Sequence, residues 1–343
     1  MSVARSAQGN PREHLEARAK RTRARHRNVT IFAATALFGA LAVFPWFGTT
    51  FYAELVTKIM IMSIFALSLD LLVGHTGLVS FGHAAFFGVG AYSLAWLAPK
   101  AAPASFWLTL PLAVMAAAVA ALVVGMFVLR TRGIYFIMVT LAFAQMFYFI
   151  FHDTKIGGGS DGRYVNFKPS AVIGAFTPFD LDKPIQMYYV VLALLVLTFA
   201  LLRLVLRAPF GRALQGIRAN EHRMRSLGFH VFAYKLASFT LAGALAGLAG
   251  YLSAAQYGFV NPEIVSWHQS GNVLLMVILG GSGTPFGPIA GAFVLVLLEE
   301  WFSWLTQRWQ LLLGASIVLL VLFLPGGLGN LYGRIRRIAS QSM

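Results

Sequence analysis

Long apolar runs separated by short polar breaks occupy most of the chain. A hydrocarbon core about 30 Å thick takes about 20 apolar residues per helix. On that ruler the pattern predicts ten spans, at 29–47, 51–73, 81–98, 106–129, 133–151, 187–206, 236–254, 269–280, 286–304 and 309–324. The runs are continuous and do not alternate at every second residue, so they read as helices and not as strands of a barrel. The eighth run is short and the third opens in glycine-rich sequence, so either is expected to be broken or tilted. The fold class expected is an all-α polytopic membrane protein of about ten transmembrane helices, with a broken or glycine-rich segment near 74–90. A basic arm (1–28) precedes the transmembrane part (29–325), and a short tail (326–343) follows it.

Composition agrees. Of 343 residues, 58% are hydrophobic and 11% are charged, against about 25% charged in soluble domains. The net charge of +15 would suit a nucleic-acid binder, but its distribution is a topology signal. With the N-terminus inside, the inner segments hold 20 of the 27 lysines and arginines, as the positive-inside rule requires. Both termini are therefore expected in the cytoplasm, and no nucleic-acid partner is expected. The run after the arm lacks a small-residue cleavage pattern, so the arm reads as a retained segment, either near anionic lipid or simply solvated. There is no cysteine, which removes disulfides, thiolate metal sites and a cysteine nucleophile.

Four polar or glycine-rich segments carry the candidate chemistry. The first is GHTGLVSFGHAAFFGVGAY at 74–92. Irregular backbone within a membrane survives only where protein or a water-filled cavity covers it. Ser80 and His83 therefore line a solute path, or else serve tight packing, with His83 bonded to a neighbouring helix. Asp70, just before it, is a carboxylate well inside a span and so a path candidate; a cap on the turn at Gly74, or contact with water, is the plainer role. Lys58 is too far along the helix to pair with it. Gln145 and Asn272 are further path candidates, as polar groups within apolar runs. The second segment, IGGGSDG at 156–162, lies in the long loop 153–184 and reads as an outward docking or gating surface, or as a connecting turn. The third, GGSGTPFGPIAG at 280–291, repeats glycine at 283, 287 and 291, which puts those residues on one helix face suited to close packing.

The fourth segment, 208–235, is conspicuously polar between apolar runs. Within it, 212–227 reads as one amphipathic helix, with Leu214, Ile217, Met224 and Leu227 on one face and Arg218, Glu221 and Arg225 on the other. Gly228 is placed to stop it. Such a helix lies on lipid or fits a groove in a partner.

These segments resemble the permease subunits of branched-chain amino acid ABC importers. The likeness is carried by LSLDLLVGHTGLVSFGHAAFFGVGAY at 67–92, GRALQGIRANE at 211–221, LGF at 227–229, YKLASF at 234–239 and GGSGT at 280–284. It runs from about residue 55 to 325. The resemblance implies that 212–228 is the coupling helix that sits in a cleft of an ATPase subunit. Gly211, Arg212, Ile217, Arg218, Asn220, Glu221, Leu227 and Gly228 are then the coupling residues. It also implies a second homologous permease, two ATPase subunits, an extracytoplasmic binding protein and a place in the bacterial inner membrane. Family members often carry two alanines where this chain has Arg223 and Met224, a departure expected to tune which ATPase fits.

No G-x-x-x-x-G-K-[ST] stretch is present, so any ATP and magnesium belong to the partner subunits and no cofactor or metal is expected on this chain. The histidines form no H-x-x-x-H or H-E-x-x-H pattern, so no catalytic residues are assigned. An ion-coupled secondary transporter is the alternative. It needs midplane acids, and Asp70 is the one candidate before Glu299 and Glu300.

Overall fold

The computed structural model describes residues 33–46, 48–99, 102–172, 178–323 and 326–330. The basic arm and residues 331–343 of the tail lie outside them. The chain forms two compact units, Met1–Gly48 and Thr49–Met343. The described part of the first is one apolar helix, α1 (Ala33–Trp46).

The second unit is built around α2 (Thr50–Asp70), which continues through a π-helical turn at Leu71–Thr76. From Ile59 to Leu72 nearly every side chain is buried. This helix is apolar all round, as a helix ringed by others must be. Around it pack α6 (Pro184–Arg207), α9 (Val231–Tyr257), α10 (Trp267–Gly280) and α11 (Gly287–Leu305). A second layer joins α3 (His83–Leu97), α4 (Phe106–Val128) and α9, while α5 (Ile134–Asp153) and α12 (Trp309–Phe323) sit at the margin.

Small residues set the closest approaches. On α9, Gly243 and Gly247 abut Ala121 and Ala117 of α4, and Gly250 abuts the Phe87 carbonyl of α3. Lipid tails supply no hydrophobic drive between spans, so dispersion at such close contacts, together with hydrogen bonds between helices, holds them together.

Each of the ten apolar runs contains a helix. Among the described residues, six helices are long and apolar enough to cross a membrane: Thr50–Thr76, Phe106–Val128, Ile134–Asp153, Pro184–Arg207, Val231–Tyr257 and Gly287–Leu305. The helices α1, α3, α10 and α12 fall short of that length. The break predicted near 74–90 lies at Leu71–Gly82, a π-turn followed by irregular chain, and His83–Gly90 is regular helix. As at any helix start, the first N–H groups of α3 have no helical partners, and Ser270 of α10 accepts from the Ala84 N–H at 2.9 Å.

One packing expectation is corrected. Gly283 is not on a helix face with Gly287 and Gly291; it lies in the α10–α11 turn with φ +74, whereas the other two start α11 and press on α10. The loop 153–184 contributes β1 (Arg163–Tyr164), antiparallel to β2 (Phe259–Val260), with Arg163 opposite Val260. Its glycines take positive φ at 158, 159 and 162 and lead into that strand.

Candidate functional site

The segment 208–235 forms two helices, not one. Ala208 is extended, and Pro209 opens α7 (Pro209–Ala219) with a φ already suited to helix. Gly211, Ala213, Leu214 and Ile217 are buried on its inner side. Gly211 passes so close to the Leu206 backbone that a Cβ would collide with it. At Asn220 the chain turns extended, and its side-chain oxygen accepts from the Arg223 N–H at 2.9 Å. That cap starts α8 (Glu221–Ser226) and breaks the expected single helix. Met224 folds back against Gly216 of α7.

The far end of α8 closes on glycine. Gly228 has φ +85 and donates to Arg225 O at 2.9 Å, while Phe229 donates to Met224 O at 3.1 Å. This paired arrangement is a Schellman stop.

Glu221 is the anchor. Its carboxylate lies 2.7 Å from Lys235 Nζ on α9, 2.5 Å from Arg225 on α8 and 3.4 Å from Arg132 in the α4–α5 turn. Partial burial works to raise its pKa, but the Lys235 hydrogen bond and the charges of Lys235, Arg132 and Arg225 outweigh this and hold it below the usual carboxylate range. The sequence pattern missed Lys235 and Arg132 as its partners, since nothing local pairs residues so far apart in the chain. Arg218 is exposed, opposite the buried Leu214 and Ile217, yet its guanidinium donates to the Gly74 carbonyl of the π-turn and its stem lies against Gly77.

Beneath this contact lies Asp70. Its Oδ1 accepts from the Gly283 N–H at 2.7 Å, and its Oδ2 is 3.7 Å from His75 Nε2. Asp70 therefore does not cap the turn at Gly74 but ties α2 to the α10–α11 turn. Gly74 must be glycine here, because a Cβ would strike both the carboxylate and the Gly283 backbone. Asp70→Asn keeps a carbonyl acceptor for that N–H, so the melting temperature of the solubilised protein should stay near wild type. Asp70→Leu leaves the N–H unpaired and should cost about 1–3 kcal/mol, read as an earlier melt. Equal melts for both variants would remove the tie from the account.

The remaining path candidates separate. Ser80 is buried and accepts from Gly82 N–H at 3.2 Å. His83 is buried, bonds Ser68 of α2 at 2.8 Å and stacks on Phe65. Both sit in packing around the break. Gln145 and Asn272 instead meet across one cavity of about 760 Å³, at the end remote from α7 and α8, a size in the range of small-molecule sites.

A family model described as branched-chain amino acid transport system / permease component matches residues 51–323. The chain belongs to that family. It is 34% identical over 312 residues to the high-affinity branched-chain amino acid transport system permease protein LivM of Escherichia coli K12, covering 85% of this chain and 73% of the relative. LivM of Salmonella typhimurium LT2 matches with the same identity and coverage. The autoinducer 2 import system permease protein LsrC of Photorhabdus laumondii is 27% identical over 177 residues, 49% of this chain and 52% of the relative. No solved structure matches. The permease is thus a transport subunit and not a catalyst, and its apolar helices make it a multi-pass protein of the inner membrane.

Proposed function

We propose that this permease forms half of the transmembrane path of an ATP-driven importer for branched-chain amino acids or a related small polar or carboxylate solute. A second homologous permease supplies the other half. Two ATPase subunits, which hold the ATP and magnesium, engage α7 and α8. An extracytoplasmic binding protein delivers solute at the opposite end. In this reading the chain crosses ten times and keeps both termini in the cytoplasm, so the arginine-rich end bearing α7 and α8 faces inward.

The observation that carries the proposal is the two-sided build of α7–α8. Arg212, Arg223, Leu227 and Phe229 are exposed, a surface fit for a partner's groove. The other side is tied to three separate places: Gly74 at the end of α2, Lys235 on α9 and Arg132 at the α4–α5 turn. A push on the exposed side therefore reaches the spans through charge-assisted bonds, not through loose loop. At the far end, Gln145 and the exposed Asn272 share the cavity on the α5–α10 face. Polar groups at such depth are costly against lipid, which supports placing the second permease and the water-filled path there.

The test is uptake of labelled leucine into proteoliposomes holding the complete complex. Uptake is expected to need internal ATP and both ATPase subunits, and to withstand ionophores. Uptake that proceeds without ATP and collapses with the ion gradient would replace this reading with secondary transport.

A further inference from the structure

The cavity that joins Gln145 to Asn272 has a lopsided chemistry. Glu263, in the 3-10 turn Pro262–Val265 before α10, is its one carboxylate, and among the described residues lining it there is no lysine or arginine. Four carboxamides face it, from Gln145, Asn261, Gln269 and Asn272. Its apolar wall is mainly aromatic, made by Phe149, Tyr148 and Trp267 with Ile264, and the Trp267 ring lies 3.9 Å from that of His268.

From this inventory we infer that Glu263 is a specificity-determining residue, which admits solutes bearing an ammonium group and turns away bare organic anions. The inference deepens the proposed function and rests on this face being the path. A carboxylic acid without an amine would meet a like charge with no lysine or arginine in the lining to offset it, and like-charge juxtaposition is costly. Urea could donate N–H bonds to Glu263 but, being neutral, would gain no charge pairing from it. A zwitterionic amino acid fits every part: its ammonium pairs with Glu263, its carboxylate takes N–H bonds from the carboxamides, and an aliphatic side chain lies on the aromatic wall. Carboxamides suit the carboxylate end because they hold it without the tight grip of an arginine fork, and a solute in transit must leave again.

The complete, solubilised complex without its binding protein tests this by ligand-observed NMR. The probes are leucine, urea and 4-methylpentanoate, which keeps the carbon skeleton and carboxylate of leucine but lacks the amine. The wild type should bind leucine and neither other probe. Glu263→Gln should weaken leucine binding at least about tenfold, the loss of one hydrogen bond to a charged group, while Glu263→Asp restores most of it. Monodisperse elution of both variants with all their partner subunits shows that the complex is intact. Equal binding of leucine and 4-methylpentanoate by the wild type overturns the inference, as does no leucine signal at all or a Glu263→Gln variant that binds like wild type. ATP-driven leucine uptake by the same preparation checks the underlying function separately, so failure of that reading shows in uptake and failure of this one in the probe preference.

Discussion

Glu221→Arg is expected to leave the permease inserted in the membrane while substrate-stimulated ATP hydrolysis drops to its basal rate and uptake falls at least about tenfold. The native carboxylate holds three cations within 3.4 Å, on α8, α9 and the α4–α5 turn. A guanidinium in its place turns three attractions into repulsions in a side chain only 23% exposed. At an intermediate dielectric each such contact is a matter of about 1–4 kcal/mol, more than one turn-and-a-half of helix can absorb. The spans do not depend on α8 for their packing, so insertion and monodisperse elution should survive. Gly228→Pro should give the same phenotype by another route. It loses the N–H that reaches Arg225 O and forces φ away from +85, since proline fixes φ near −65°. Normal stimulation of ATP hydrolysis in both variants would remove this loop from the drive train.

The same site fixes a pH dependence. A carboxylate whose folded pKa is depressed contributes stability that is complete above its ordinary value and is lost as pH falls through the folded value. The Glu221 anchor is thus indifferent to a change from pH 7 to 8, and coupling should fail at acidic pH, below the usual carboxylate range.

Gly90→Leu is expected to abolish accumulation of the protein altogether. A Cβ at Gly90 would overlap the Gly247 carbonyl and Cα on α9, and backbone on the far side of a contact cannot rotate out of the way. Overpacking against movable side chains costs about 1–3 kcal/mol. Separating α3 from α9 costs more, and whole-protein stability is only about 5–15 kcal/mol. The contrast is Gly271→Ala on α10, where a Cβ meets nothing within 4 Å. That variant should accumulate like wild type in the membrane fraction, as judged by size-exclusion fluorescence of a tagged protein. A normal yield of Gly90→Leu would mean that α3 and α9 do not pack as described.

The range of each interaction decides how plainly the sequence displays it. The ten apolar runs and the glycine break are local features, and helices and a break appear at those places. Span length was harder: hydropathy marks apolar residues and not helix ends, so α9 begins at Val231, five residues before its apolar run. The split of 212–227 has a local cause in Asn220, whose cap on the Arg223 N–H ends one helix and begins the next, but amphipathic period runs straight through it. Asp70 was visible as a buried carboxylate, yet its partner at Gly283 is 213 residues away. The same distance problem hid Lys235 and Arg132 from Glu221, and concealed that Gln145 and Asn272 share a cavity while Ser80 and His83 do not.

The bond from Arg218 to Gly74 also bears on the order in which the molecule is made. Gly74 sits in the last turn of its helix, where carbonyls lack partners of their own, and its donor lies 144 residues further along the chain. During synthesis α2 therefore enters the bilayer with its Gly74 end lacking this donor, and stays so until residue 218 has left the ribosome. A nascent chain arrested before that point should expose the Leu71–Gly82 segment to proteolysis, and one arrested after α7 should protect it.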